Sequence, residues 1–445
     1  MQIPPFRLSN YAIILTPGEI LGNKRNKPLI SPRMGYNDAT TILCRRYYVM
    51  YISERARKME PSATLAVTAK AKSLKREGKP VISFGAGEPD FDSPPSAIRY
   101  AEEAMKKGQT HYTPGTGIPE LREAVCAYYK DHFGLEYSPA NVVVGAGAKP
   151  LLYEALGCVI DPGDEVLVFT PAWVSYVEQI RFFDGKAVLV DTSKTEFIPR
   201  YDDVKKAITP RTRAMIVNTP NNPTGAIYDE QCLRDLGKLA VEHNIVIIFD
   251  EIYERLVYCG EKHHQILNLV PEAKDLTIII NGVSKAFAMT GWRIGYALGP
   301  SSIMGYLGDL QGHITSNACS VAQWASVGAL KEADQDVRTM HKAFSKRRDL
   351  IVDLMKDMPY ISFTEPKGAF YVWFNVDRIL GKSWNGKVLS DDAELCKVFL
   401  ESKYVALVPG SAFMAPGNVR ISYSNSEEEI REGMRRFKEF LEELK

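Results

Sequence analysis

Leu276-Thr277-Ile278-Ile279-Ile280-Asn281-Gly282-Val283-Ser284-Lys285-Ala286-Phe287-Ala288-Met289-Thr290-Gly291-Trp292-Arg293-Ile294-Gly295-Tyr296 is the stretch from which the rest of the chain can be read. Its apolar beginning reads as a buried strand. The run breaks at a glycine and presents one lysine with almost no charged neighbours. An arginine follows eight residues on, then a second short apolar run from Ile294 to Leu298. A lysine at the end of a core strand is costly unless it has a partner or forms a covalent bond. A desolvated amine loses its proton more readily and becomes a good nucleophile towards an aldehyde. An arginine close by, among backbone amides, suits a phosphate. Aldehyde plus phosphate points to pyridoxal 5'-phosphate. The plainer alternative is a snorkelling lysine and a surface arginine.

Outward from this stretch, strands alternate with helices. Val142-Val143-Val144, Glu165 to Phe169, Ala187 to Val190, Ala214 to Val217 and Ile245 to Phe249 are short apolar runs, and helices at 149–160 and 229–243 fall among them. Such alternation predicts a mostly parallel sheet covered on both faces. Ligands bind such sheets at the carboxyl ends of the strands. Further upstream, residues 61–77 read as a capped amphipathic helix closed by Gly78. A strand at Val81–Phe84, the glycine-bearing Gly85–Phe91 and helices at 95–107 and 119–132 follow. After about residue 330 the pattern changes. A long charged helix (336–357), the strand Phe370–Phe374, a helix from Ala393 to Ser402, strands Val405–Val408 and Val419–Tyr423 and a closing helix (426–444) make an α+β unit. The expected organisation is α/β, with a large domain at 96–330 and a smaller α+β domain built from 53–95 and 331–445.

Composition narrows the function classes. The chain has 445 residues, an apolar fraction of 45% and a charged fraction of 24%, the values of a globular protein with room for two domains. A net charge of +1 gives no reason to expect nucleic acid or a membrane as partner. No apolar run approaches the roughly 18 residues that cross a bilayer. Seven scattered cysteines without a C-x-x-C pair argue against a disulfide framework and a zinc site, and for a reducing, cytoplasmic location. The histidines show no metal spacing, and His263-His264 falls in a polar, loop-like stretch. Residues 1–52 stand apart: seven Arg and Lys oppose only Glu19 and Asp38, and prolines break any long helix. They read as an extension, either disordered or not native to the mature protein, with a transit peptide left open.

A site for this cofactor needs more than a lysine. Its phosphate needs backbone N–H groups at a helix N-terminus and cations, which Gly145-Ala146-Gly147-Ala148-Lys149 offers. Its ring nitrogen needs a facing carboxylate. Asp250 ends the strand Ile245–Phe249, with Tyr253 three residues on; a helix N-cap or a salt bridge is the alternative. Asn218-Thr219-Pro220-Asn221-Asn222-Pro223-Thr224-Gly225 offers neutral donors to the ring oxygen, or is only a turn. Trp173 can stack on the ring or belong to the core. Arg420, flanked by Val419, Ile421 and Tyr423, suits the α-carboxylate of an amino acid, or a structural ion pair.

From Ser53 to its end the chain resembles the class I aminotransferases of the aspartate aminotransferase fold, subgroup Ib, the fold type I pyridoxal phosphate enzymes. The resemblance rests on Gly282–Gly295 around the lysine, Ala86–Phe91, Tyr112 with Gly117–Arg122, Asn222–Gly225, Asp250–Tyr253 and Val419–Tyr423, in that family's order. It implies a mostly parallel seven-stranded sheet between helices and a homodimer with shared active sites. It also implies that Lys285 forms the internal aldimine and then serves as acid and base, that Asp250 pairs with the pyridine nitrogen, and that Tyr253 and Asn222 bond the ring oxygen. Trp173 would stack on the ring. Gly147, Ala148, Lys149 and Arg293 would surround the phosphate, joined by Tyr112 from the neighbouring subunit. Gly87, Trp173, Asn222 and Arg420 would contact the substrate. Gly282 stands where many relatives carry Ser or Thr, and Gln311–Asn317 holds no arginine like the one that binds the distal carboxylate in subgroup Ia.

The expected function is transfer of an amino group from an L-amino acid, aspartate foremost, to 2-oxoglutarate by a ping-pong mechanism. Rivals are an aromatic, alanine or prephenate aminotransferase and a β-eliminating relative of the same fold. A cofactor-binding transcription regulator is the rival outside enzymes; it needs a helical DNA-binding head and a basic balance, and the sequence has neither. No metal is expected.

Overall fold

Seven strands lie in the order Val142–Gly145, Gly295–Leu298, Thr277–Gly282, Val246–Asp250, Thr212–Asn218, Glu165–Thr170 and Lys186–Asp191 in the computed structural model. It describes residues 50–85 and 87–445. Gly295–Leu298 runs antiparallel to both of its neighbours, and the remaining pairs are parallel. Alternate residues feed two cores, as the period of a strand demands. Ile247, Phe249 and Ile279 pack on one face against helices that include Pro119–Phe133 and Glu230–His243. Ile248, Ile278 and Ile280 pack on the other against Ala148–Val159 and Ser301–Ile314. Only the edge strand Lys186–Asp191 is substantially exposed. The expected α/β architecture with a mostly parallel sheet is present, and Gly145, Asn218, Asp250 and Gly282 all end strands.

A four-stranded antiparallel sheet, Val408–Pro409, Asn418–Ser422, Tyr371–Asn375 and Ser362–Phe363, packs with the helices Asp334–Lys356, Asp392–Lys403 and Glu427–Glu442 around a separate core. Ile52–Lys445 form one compact unit. The expectation for residues 1–52 falls, but for residues 50–52, outside the described residues.

One expectation needs correction. Val405–Val408 is not one strand. Val405–Ala406 pairs with Ile82–Ser83, whereas Val408–Pro409 pairs with Val419 and Arg420, so the run is shared between two sheets at Leu407. A fully apolar run carries no mark of such a change of partner. His263 follows no regular element, as expected, but its side chain is only 4% exposed and its Nε2 lies 2.7 Å from Glu251 Oε2. The polar look of the segment reflects a buried polar network.

Candidate active site

The strand Thr277–Gly282 delivers Lys285 on a single helical turn, Val283–Ala286. Gly282 is tightly placed, because a Cβ there would lie 2.8 Å from the Ile294 carbonyl oxygen on the returning chain. Lys285 Nζ donates to the Gly87 carbonyl oxygen at 2.5 Å. Burial lowers its pKa to about 8; Glu88 opposes this, while Arg293, Arg420 and Lys149 reinforce it. A lysine so placed sheds its proton near neutral pH and is ready to attack an aldehyde.

Asp250 ends the neighbouring strand and is 4% exposed. Its Oδ2 accepts from Tyr176 Oη at 2.5 Å and its Oδ1 from the Ile252 N–H at 3.3 Å. Burial pushes this carboxyl up to about 6, with those two donors pulling the other way. The salt-bridge alternative is not what the described residues show: no cationic side chain lies within ion-pair distance of Asp250.

The loop after Val142–Gly145 is an anion cradle. Gly147 has φ of +109°, which a residue with a side chain rarely adopts, and caps the helix Ala148–Val159. A Cβ on Gly147 would meet the Arg293 guanidinium at 2.6 Å, so the arginine abuts the helix start. Arg293 also donates to the Thr290 carbonyl at 3.1 Å. The Lys149 ammonium lies 4.7 Å from the centre of the Trp173 ring, and burial with Arg293 nearby lowers its pKa.

Arg420 reaches the same cavity from the small sheet. It is 3% exposed, donates to Asn222 Oδ1 at 2.9 Å and to the Gly85 carbonyl at 3.0 Å, and lies 4.3 Å from the Tyr371 ring centre. Its Nε has no partner. The structural ion pair considered for it is not formed among the described residues.

One cavity of about 310 Å³ thus gathers Gly87, Ala148, Lys149, Trp173 and Asn222 with Asp250, Tyr253, Lys285, Arg293 and Arg420. Gly147 stands behind Arg293. Tyr112 is 90% exposed and does not line this cavity. Tyr253 Oη lies 2.8 Å from Tyr371 Oη. Four cations face one carboxylate on the wall, which suits a polyanionic ligand.

Sequence reading missed Tyr176, Tyr371 and the pair Thr64 and Thr68, and it gave Asn218 only as part of a donor-bearing turn. Asn218 donates to the Asp250 carbonyl at 3.0 Å and accepts from the Asn222 N–H at 3.0 Å, so it shapes the wall. Thr64 and Thr68 lie four apart on the helix Ala63–Arg76 and both line the cavity. That spacing was a usable signal. The tyrosines look like core residues until their partners are known.

Pyridoxal 5'-phosphate fits these residues: the amine is aldehyde-reactive, the buried carboxylate lacks a cation, and the glycine cradle faces an arginine. The model of the aminotransferase class I and II family matches residues 79–437. An aspartate aminotransferase of Geobacillus stearothermophilus is 43% identical over 88% of this chain and 99% of its own. An aspartate/prephenate aminotransferase of Thermus thermophilus is 42% identical over 87% of this chain and 97% of its own. The aspartate aminotransferase structure from Rhizobium meliloti superposes with a TM-score of 0.86 at 38% identity, covering 89% of this chain and all of the other. The sheet order, the cavity and these likenesses agree: the chain belongs to the class I and II aminotransferases.

Proposed function

We propose that the protein is a pyridoxal 5'-phosphate-dependent aminotransferase that takes the amino group of an L-amino acid, aspartate foremost, and delivers it to 2-oxoglutarate in a ping-pong cycle. The observation that carries this reading is the convergence of Lys285, Asp250 and Arg420 on one cavity. When bound, the cofactor supplies an electron sink that makes the Cα–H bond of an amino acid acidic. Lys285 Nζ, with its pKa near 8, holds the cofactor and then takes and returns a proton at the substrate carbon. Asp250 provides a fixed negative charge that keeps a facing ring nitrogen protonated. Asn222 and Tyr253 supply neutral hydrogen-bonding groups, and Trp173 offers an aromatic face.

Gly147, Ala148 and Arg293 suit the phosphate. Arg420, with an unpartnered Nε, suits the α-carboxylate, alongside Gly87. Lys149 is assigned to the phosphate region, and its position over Trp173 also leaves its ammonium available to a second carboxylate. That is the support for aspartate within the cavity itself. Leu65, 66% exposed on the same wall, favours prephenate as a second acceptor, the reading that the Thermus thermophilus relative's name also carries.

In this reading residues 96–330 form the cofactor-binding domain, and 53–95 with 331–445 carry Arg420. Tyr112, exposed and off its own cavity, is proposed to reach the phosphate of a partner subunit in a homodimer. The scattered free cysteines are the ground for placing the enzyme in the cytoplasm. No described helix is long and apolar enough to cross a membrane. Among the described residues no cluster of His, Cys, Asp and Glu could hold a metal ion.

The test is a donor screen with 2-oxoglutarate, scoring glutamate formed. Aspartate should give the highest kcat/KM, and no glutamate from any donor would refute the activity. Lys285→Ala should abolish the lysine-bound chromophore and lower turnover by roughly a thousandfold or more. A chromophore that survives this change would overturn the site.

A further inference from the structure

Lys285 and Arg420 arrive from different sheets, yet both hydrogen bond to glycine carbonyls two residues apart in sequence. Arg420 donates to the Gly85 carbonyl and Lys285 to the Gly87 carbonyl. The positions of the Gly85 and Gly87 carbonyls therefore bear on where these two side chains rest. Gly87 has little freedom, since a Cβ there would lie 2.7 Å from Tyr371 Oη.

The stretch bearing these two glycines is tied down on both sides. Before it, Phe84 N–H donates to Ala406 and the Phe84 carbonyl accepts from Ser422, both at 2.9 Å. After it, Glu88 accepts from Thr290 at 3.0 Å, and Trp292 Nε1 donates to Ser93 Oγ at 2.8 Å. A further tie is Asp90, which receives a two-pronged bond from Arg347 at 2.6 and 2.9 Å. Arg347 belongs to the helix Asp334–Lys356 and does not line the cavity. Its guanidinium lies 5.2 Å from the Phe91 ring centre and 5.5 Å from that of Phe344, and its side chain is 12% exposed. A planar fork resting against two mutually packed aromatic rings fixes a carboxylate in direction as well as distance, which a lysine cannot do.

We propose that Arg347 is a positioning residue for the substrate site: through Asp90 it helps to hold the Gly87 backbone, and with it the wall against which Arg420 rests, where an amino acid is received. This inference rests on the reading of Arg420 and Gly87 as substrate-binding residues. Arg347 touches neither substrate nor cofactor. Loosening the fork lets Gly87 sample positions in which its backbone and the Arg420 guanidinium no longer converge, so substrate binding suffers before chemistry does.

The experiment uses the cofactor-loaded enzyme and succinate, an unreactive dicarboxylate, with the chromophore shift as a direct binding readout. Arg347→Lys and Asp90→Asn should each raise the succinate Kd and the aspartate KM about tenfold, with kcat within about twofold. The double variant should be no worse than either single one, because both break the same link. Thermal unfolding and chromophore yield must match the wild type, and the lysine variant, which keeps the charge, guards against simple misfolding. Unchanged succinate binding in both single variants overturns the proposal, as does an additive double variant. A wild-type protein with no chromophore would refute the proposed function instead, so the two failures are distinct.

Discussion

Asp250 and Glu251 are adjacent in sequence, both carboxylic, both buried, and they are built for opposite purposes. Asp250 lines the cavity, has two donors and no cation, and is pushed up to about 6 by burial. Glu251 is fully buried off the cavity and accepts from Tyr129 Oη at 2.5 Å, from Gln265 Nε2, and pairs with His263 at 2.7 Å. At one side of the strand end the carboxylate has no cationic partner, and at the other both carboxylate oxygens are engaged, one of them by a histidine. An incomplete buried charge costs stability and gains a use when a cationic group docks against it. A carboxylate paired in this way gives rigidity: Tyr129 also receives Asn281 Nδ2 at 3.3 Å, and Asn281 accepts from the Gly282 N–H at 2.7 Å. Glu251 thus braces the segment that carries Lys285.

The contrast can be broken by substitution. Asp250→Asn should lower kcat/KM by roughly a thousandfold, since the amide provides no charge for the ring nitrogen; stopped-flow half-reactions with aspartate measure it. The same change should stabilise the cofactor-free protein. Asp250 has a folded pKa of about 6 against an ordinary 3.8, so above pH 6 it is ionised in both states and the folded state bears the cost. A gap of about two pH units corresponds to about 3 kcal/mol. That cost disappears as pH falls through 6 towards 3.8. Urea unfolding at pH 8 should therefore favour Asn by about 3 kcal/mol, and the advantage should vanish near pH 4.

Glu251→Gln should do the reverse. One face of the new amide presents N–H groups to donors, leaving a buried clash and unpaired groups that cost about 2 kcal/mol. The chromophore and kcat/KM of the folded fraction should stay within about twofold of wild type. A large activity loss in a fully folded Gln variant would erase the distinction drawn between the two carboxylates. In free energy the smallest effect, about 1.4 kcal/mol, is expected from Tyr176→Phe, which removes one donor from Asp250 and should lower kcat/KM about tenfold. An unchanged value would mean that Asp250 needs no help in holding its charge.

Much of this site could be read from the sequence because its residues break local rules. A lysine after Ile278-Ile279-Ile280, an aspartate after Ile247-Ile248-Phe249 and an arginine between Val419 and Ile421 are each anomalous where they stand, and the structure brings all three to one wall. Tyr176 and Tyr371 break no rule. A tyrosine in an apolar neighbourhood is ordinary, and their roles depend on partners 74 and 118 residues away. The same limit applied to the fold. Period and apolarity marked the seven central strands, but nothing within Val405–Val408 could reveal that its two halves join different sheets, because pairing is a property of the partner strands. His263 was hidden for a related reason: its neighbours in sequence are polar, while those around its ring include Phe133 and Phe249.

The four cations and single carboxylate on the cavity wall have a practical consequence at the bench. Without cofactor, those charges repel one another, so any small polyanion in the buffer becomes a folding ligand. Phosphate, sulfate or a dicarboxylic buffer at a hundred times its dissociation constant would add about 2.7 kcal/mol to apparent stability. The melting temperature of the apoprotein is accordingly a gauge of its buffer. Comparisons between variants of Lys149, Arg293 or Arg420 hold only when made in a common, weakly binding anion such as chloride.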